Sequence, residues 1–261
     1  MTNYKGYMGK VLFVDLTEKT YKEFPWTDED RKRTVGGKIM AADILLNHIR
    51  PGMKAFDEDN WLVITTGPLT RCKSPSSTRF NISTVSPLTG ILTSSNCGGS
   101  FGRRLKKAGW DAMIITGKAQ ELTWIEIDED VITFHEVPEM KGMLTGEVQK
   151  QFKGGVSPLA IGPAGENKVL YAGVFSGERT AGRGGVGAVF GDKNLKVITA
   201  KGSQDPVIHD QEKLDKIAEQ WKMQLLRHPI TGAQLAKLGT AGLIAPMQAH
   251  RILATKNFGD G

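Results

Sequence analysis

Only two cysteines, Cys72 and Cys97, occur in 261 residues. Two thiols exclude a disulfide framework, and they are too few to hold a zinc ion or an iron–sulfur cluster by cysteine alone. Long apolar runs are also missing. No stretch approaches the ~20 residues of a membrane helix, so no membrane insertion is expected. The opening MTNYKGYMGK has no apolar segment behind its lysines, which argues against a secretory signal, and the lack of a disulfide framework reads as a cytoplasmic location. Aromatic residues are sparse at 7%, and the five tryptophans are spread out, which excludes a base-stacking platform. A Walker A loop is absent. Acidic residues fall short of basic ones by 28 to 34, a formal +6 that suits anionic ligands. The basic residues are scattered, apart from the short cluster at 103–107, so no nucleic-acid partner is expected.

What the chain does have is an ordered series of short strands. GKVLFVDLTEKTYKEF (9–24) alternates about a polar turn, a hairpin signal. KIMAADILLNHIRPG (38–52) is spaced as a helix and stopped by Pro51-Gly52. Strands follow at 61–68, 78–85, 110–117, 122–128 and 131–137, then a helix near 143–153 and three strands in PLAIGPAGE, KVLYAGVF and LKVITAKG. The texture changes near residue 206. DQEKLDKIAEQWKMQLLRH (210–228) is one amphipathic helix, and two shorter helical stretches follow. The expectation is a domain over 1–205 and the incomplete beginning of a helical domain over 206–261. An unfinished core before NFGDG suggests a split or truncated polypeptide, and an exposed apolar helix face there invites a partner or a homo-oligomer.

The first domain carries a loose internal repeat. WLVITTGPLT (61–70) is echoed by PLAIGPAGE (158–166), and NCGGSFGRRLKKAGWDAMIITGKA (96–119) by GRGGVGAVFGDKNLKVITAKG (182–202). In each pair the order is a buried strand with Gly-Pro, then Gly-Gly, a helix start and a strand. Duplication about a pseudo-two-fold axis would set two glycine turns face to face. Glycine at 98, 99, 182, 184 and 185 allows close backbone approach. Helix N-termini after such turns attract anions, and Arg79, Arg179 and Arg183 can fork onto phosphate oxygens. That profile fits a polyphosphate cofactor. A dinucleotide-binding reading of Gly182–Gly187 fails on context, because the preceding SGERTA is polar and no acidic residue of a βαβ unit follows.

SPSSTRFN (74–81), SPLTG (86–90), SNCGGSFGRRLKKAGWDAMIITGKA (95–119), AIGPAGEN (160–167) and ERTAGRGGVGAVFGDKNLK (178–196) together resemble the tungsten-containing aldehyde:ferredoxin oxidoreductase family. The resemblance implies an α+β fold, a duplicated sheet-plus-helix unit forming a base for a bis-pyranopterin that carries tungsten (or molybdenum), with Mg2+ bridging the pterin phosphates. It assigns Arg79, Asn96, Gly98, Arg179, Thr180, Gly182 and Arg183 to cofactor binding, with Asn96 and Thr180 meeting the magnesium through backbone carbonyls. The family more often has alanine at the place of Thr180, a change that leaves a carbonyl ligand intact. The family's [4Fe–4S] cysteines, and the glutamate and histidine that assist aldehyde oxidation, have no counterpart here. The resemblance therefore implies a C-terminal-domain partner or continuation, ferredoxin or another electron carrier as acceptor, no catalytic residue in this chain, and no turnover by the chain alone.

Two other functions compete. Related active-site subunits reduce aromatic acyl-CoA rings with the same cofactor; a non-catalytic, cofactor-free assembly subunit is the third reading. Cys97 in the glycine turn is read as a small filler and Cys72 as structural. His48 and His135 fall within helix and strand patterns and are read as packing or surface residues. Glu166, Asn167 and Arg71 are each open between a ligand role and a turn or solvent role.

Overall fold

The computed structural model describes residues 2–256 and 258–259. It divides into two units, Met1–His209 and Asp210–Gly261. Asn257, Asp260 and Gly261 of the closing NFGDG lie outside the described residues.

The first unit holds two six-stranded sheets. The first contains β1 (Lys10–Asp15), β2 (Thr20–Glu23), β3 (Leu62–Thr65), β4 (Phe80–Val85), β5 (Leu92–Cys97) and β6 (Trp110–Thr116), in the order β2-β1-β6-β3-β4-β5. The second contains β7 (Thr123–Asp128), β8 (Val131–Glu136), β9 (Ser157–Ala160), β10 (Val174–Ser176), β11 (Arg179–Ala181) and β12 (Leu195–Lys201), in the order β8-β7-β12-β9-β10-β11. Raising every strand number of the first sheet by six reproduces the second. Each sheet has one parallel pair, β1 with β6 and β7 with β12, and each is otherwise antiparallel. The duplication expected from the two Gly-Pro and two Gly-Gly stretches is thus complete at the level of topology.

Helices fill equivalent places in part. Between the first hairpin and β3 lie α1 (Asp28–Thr34) and α2 (Gly37–Leu46); between β5 and β6 lies α3 (Phe101–Lys107). In the second half, α4 (Thr145–Lys150) precedes β9, α5 (Pro163–Glu166) follows it, and α6 (Val186–Asp192) precedes β12. Thus α3 corresponds to α6 and α2 to α4, whereas among the described residues α1 and α5 have no α-helical counterpart. Thr27 starts α1 with a capping box in which Asp30 answers the Thr27 backbone, a helix start whose signal is plain in TDED but was not part of the expected series. Inward residues of both sheets, among them Leu12, Ile64, Phe80, Ile115, Ile127, Leu159, Val174 and Ile198, share one core with Phe101 and Leu105 of α3 and Val186, Val189 and Phe190 of α6. The outer face of the first sheet is covered by α2 through Met40, Ala41, Ile44 and Leu45, and that of the second by Met140 and Val148. Burial of this extent, at about 25 cal/mol per Å2 of apolar surface, is the force that joins the halves.

Charged groups are also taken inside. The fully enclosed Lys193 ammonium donates to the carbonyls of Glu58 (3.0 Å) and Gly117 (2.9 Å), pinning two loops of the first half to the end of α6. Burial pushes its pKa from 10.5 down to about 8. The unfolded chain therefore binds the extra proton between about 8 and 10.5. Stability should rise with pH in that window, by up to ~1.4 kcal/mol per unit, and the burial penalty is fully present below it. Urea unfolding at a series of pH values should show this rise in the wild type, and Lys193→Met should lose it.

The second unit starts with α7 (Gln211–Arg227), whose Asp210 side chain caps Lys213 N. A π-helical turn at Pro229–Gln234, α8 (Leu235–Leu238), a 3-10 turn at Gly239–Leu243 and α9 (Ile244–Ala249) complete it. None of its described residues is buried, and Trp221, Leu226, Leu238 and Ile244 are exposed. Among the described residues no helix is long and apolar enough to cross a membrane.

Candidate functional site

Register places the two halves in correspondence residue by residue. In the first sheet Ala112 pairs with Thr65, Thr65 with Asn81 and Asn81 with Asn96. In the second, Val197 pairs with Ala160, Ala160 with Phe175 and Phe175 with Thr180. Ala112 and Val197 are each the third residue of their strand. Asn96 and Thr180 are therefore equivalent positions of the duplicated unit, and Gly98 and Gly182 are each the first residue after the strand. The turn into α3 has three residues (98–100) and the turn into α6 has four (182–185). Gly99 and Gly184, both left-handed, stand two residues before their helices. Arg183 is the residue without a counterpart.

The seven expected cofactor residues form one connected strip. Arg79 Nη1 donates to Asn96 Oδ1 at 3.1 Å. The open side of Gly98 faces the Arg179 side chain, whose Cγ would lie 3.5 Å from an added Cβ. Arg179 and Thr180 belong to β11, Gly182 and Arg183 follow, and Arg183 N returns to Ser95 Oγ beside Asn96 at 3.0 Å. Arg79, Asn96, Arg179, Thr180, Gly182 and Arg183 are exposed and Gly98 is half-buried. Among the described residues no arginine ion pair uses Arg79, Arg179 or Arg183. The Arg179 and Arg183 guanidinium groups, and the Arg79 nitrogens other than the Nη1 held by Asn96, are thus available to phosphate or carboxylate oxygens.

The glycines divide into two groups, which corrects part of the reading from sequence. An added Cβ would lie 2.5 Å from the Ser176 carbonyl at Gly99, 2.1 Å from Thr93 Oγ1 at Gly184 and 2.0 Å from the Leu170 carbonyl at Gly185. At these three positions the side a Cβ would occupy is filled by the protein's own segments, so packing alone requires glycine there. Helix ends are likewise occupied: Phe101 N at the start of α3 donates to Ser176 Oγ, and Gly187 N in the first turn of α6 donates to the Ala172 carbonyl. Gly98 and Gly182 remain open, with only the Arg179 side chain and the Thr180 side chain nearby.

Two cavities flank the strip at equivalent places. One, of about 320 Å3, is lined by Gly37, Thr66, Pro68, Arg79, Asn81 and Asn96. The other, of about 610 Å3, is lined by Thr145, Glu147, Gly162, Pro163, Gly173 and Phe175. Asn81 and Phe175 are register mates, as are the two Gly-Pro turns. Between the two cavities the strip thus presents open glycines on the edge strands β5 and β11 and three arginines without carboxylate partners. Among the described residues no three His, Cys, Asp or Glu side chains gather as metal ligands.

Other singled-out residues have structural partners. Cys97 is fully buried, and burial pushes its thiol up to about 11, which suits a filler and not a thiolate ligand. Cys72 Sγ donates to the Pro68 carbonyl at 3.1 Å. Arg71 pairs with Asp205 at 2.9 Å. Glu166 bonds to Lys196 Nζ and accepts from Gly142 N, and Asn167 caps α5 through the Pro163 carbonyl. His48 stacks on Trp61, and His135 stacks on Trp124. The residues that sequence reasoning missed are Ser86, Ser95 and Ser176, buried hydroxyls that cross between the halves. A polar run such as LTSSNC inside a glycine-turn motif was the available signal.

The family model for the aldehyde ferredoxin oxidoreductase N-terminal domain matches residues 11–202. The chain belongs to this family. It is 39% identical, over 98% of its length, to the tungsten-containing aldehyde ferredoxin oxidoreductase of Pyrococcus abyssi, and 38% identical over the same share to that of Pyrococcus horikoshii. In both cases it spans 43% of the relative's length. Among solved structures, it is similar to a chain of the active site complex BamBC of benzoyl coenzyme A reductase in complex with 1,5 dienoyl-CoA, with a TM-score of 0.81 and 31% identity over 85% of this chain and 35% of that one. Within the aldehyde ferredoxin oxidoreductase family, the matched domain covers both sheets and the whole arginine strip.

Proposed function

We propose that this chain supplies the cofactor base of a tungsten oxidoreductase that converts aldehydes to carboxylic acids. The carrying observation is the register equivalence of Asn96 and Thr180 beside three unpaired arginines. Their main-chain carbonyls would meet a magnesium ion on the pseudo-axis, and Arg79, Arg179 and Arg183 would bind the pterin phosphates and rings on either side. Gly98 and Gly182 leave room for the cofactor to approach the backbone. The bound tungsten bis-pyranopterin supplies the redox chemistry: aldehyde and water give the carboxylic acid, two protons and two electrons. This chain binds and orients the group; the electrons pass to ferredoxin or a similar carrier through a [4Fe–4S] cluster held by residues beyond this chain, in the cytoplasm. Catalytic acid–base groups would come from the same continuation or partner.

The test is anaerobic co-expression with the complementing polypeptide, followed by elemental and pterin analysis. Tungsten and magnesium should co-purify with the chain, and the triple variant Arg79→Ala/Arg179→Ala/Arg183→Ala should lose both, by tenfold or more. A wild-type complex without tungsten or pterin would refute the proposal and favour an assembly subunit. The likeness to benzoyl coenzyme A reductase supports a second reading, reduction of an aromatic acyl-CoA by the same cofactor. Assays of the assembled complex on aldehydes and on aromatic acyl-CoA thioesters separate the two.

A further inference from the structure

The strip carrying Asn96 and Thr180 belongs to two halves that are joined by separate strands, so something must fix the distance between them. Apolar packing is non-directional and does not set a register to a few tenths of an ångström. Buried hydroxyls do cross the boundary, and three of them reach main-chain atoms of the two glycine turns and of the α3 start. Ser95 Oγ accepts from Arg183 N at 3.0 Å, and Ser86 Oγ donates to the Gly184 carbonyl at 2.8 Å. Both ends of the Arg183–Gly184 segment of the second half are thereby held by serines of the first. The reciprocal bond runs from Phe101 N of the first half to Ser176 Oγ of the second, at 3.2 Å. Ser86 and Ser176 are fully buried and Ser95 is 1% exposed, so none of these hydroxyls has water as an alternative partner. Along β5 the alternation is direct: Ser95 faces the other half, and the next residue, Asn96, faces the strip.

We infer that Ser95 and Ser176 are positioning residues for the cation site, forming a crossed clamp that fixes the span between the Asn96 and Thr180 carbonyls. This rests on the magnesium-bridged reading above. Each serine grips the turn that follows the other half's cation-binding position, at Arg183 N three residues after Thr180 and at Phe101 N five residues after Asn96, so a change at either one is transmitted through that turn as a change in span. Left-handed Gly99 and Gly184 permit the grip, since a side chain at either would occupy the space taken by Ser176 or Thr93. A divalent cation with a narrow preferred ligand distance, such as Mg2+ at 2.0–2.1 Å, is sensitive to such a span.

The experiment uses the assembled complex, purified anaerobically as wild type, Ser95→Ala, Ser176→Ala and Ser94→Ala, and challenged with EDTA while magnesium and tungsten are followed by elemental analysis. Ser94 is the control, because its hydroxyl bonds to Asn81 within the same half. Losing one buried acceptor across the boundary should speed magnesium release about tenfold in Ser95→Ala and Ser176→Ala. Initial tungsten content should stay at the wild-type level, and excess Mg2+ should restore occupancy. Ser94→Ala should release magnesium within about twofold of the wild type. Wild-type release rates in both clamp variants, or equal acceleration in Ser94→Ala, would overturn the clamp and leave the cofactor reading intact. Absence of magnesium from the wild-type complex would overturn that reading, and the clamp with it. If Ser95→Ala does not fold, Ser176→Ala decides by the same criterion.

Discussion

Replacing Gly185 with alanine should cost about 4 kcal/mol of folding stability, whereas Gly98→Ala should cost less than about 0.5. The two glycines belong to equivalent turns, and sequence alone treats them alike. At Gly185 the backbone is left-handed (φ +69°) and an added Cβ would lie 2.0 Å from the Leu170 carbonyl and 2.9 Å from Pro87 Cγ. A left-handed alanine is strained by ~1 kcal/mol or more, and a backbone carbonyl cannot swing aside as a side chain can. Gly98 has an ordinary φ, and its nearest contact is the flexible Arg179 side chain at 3.5 Å. Thermal or urea unfolding of the cofactor-free protein measures both. Equal stability of the two variants would show that the turn at Gly185 is not packed as described. If instead Gly185→Ala left the unfolding midpoint alone and reduced only cofactor content, the glycine would serve the ligand and the reassignment made from packing would fall.

Why the sequence left this open follows from what each signal encodes. Strands with a buried face announce themselves by period or by an apolar run, and β1, β3, β6, β7 and β12 were all expected where they occur. The second unit's long helix was equally plain. The strands that carry the site were not. β5 reads LTSSNC and β11 is three residues, RTA, with two of them exposed. Their inward positions meet serines and glycines of the opposite half, so no apolar alternation marks them. KVLYAGVF has the look of a strand from Lys168, yet only Val174–Ser176 pairs, because the Leu170 and Ala172 carbonyls turn to cover Gly185 and accept from Gly187. The arginines and glycines of the strip were visible as residue types in a familiar pattern. Their division into ligand-facing and packing positions is a matter of φ and of distance between segments far apart in sequence, which no local pattern contains.

The same distinction decides Glu166, a candidate from sequence for holding a ligand. Its carboxylate bonds to the fully buried Lys196 ammonium through Oε1 and accepts from Gly142 N at 2.8 Å through Oε2. Lys196 also donates to the Met143 carbonyl at 3.0 Å. Both carboxylate oxygens are committed to holding the segment before α4 against β12. Removing the acid leaves an enclosed ammonium with one neutral acceptor. Breaking a buried pair from one side costs about 3–5 kcal/mol, so Glu166→Ala should fall in that range. Lys196→Met should cost less, ~1–3 kcal/mol, since it removes the charge that is hardest to leave unpaired and fills a similar volume. In the double variant the two losses should not add, and the coupling between them should exceed ~1 kcal/mol in a double-mutant cycle read by urea unfolding. Tungsten and magnesium per folded complex should be unchanged in all three. Loss of either metal from a Glu166→Ala complex of undiminished stability would return this residue to the cofactor site. The lysine facing it would then need an acceptor other than the one the fold provides.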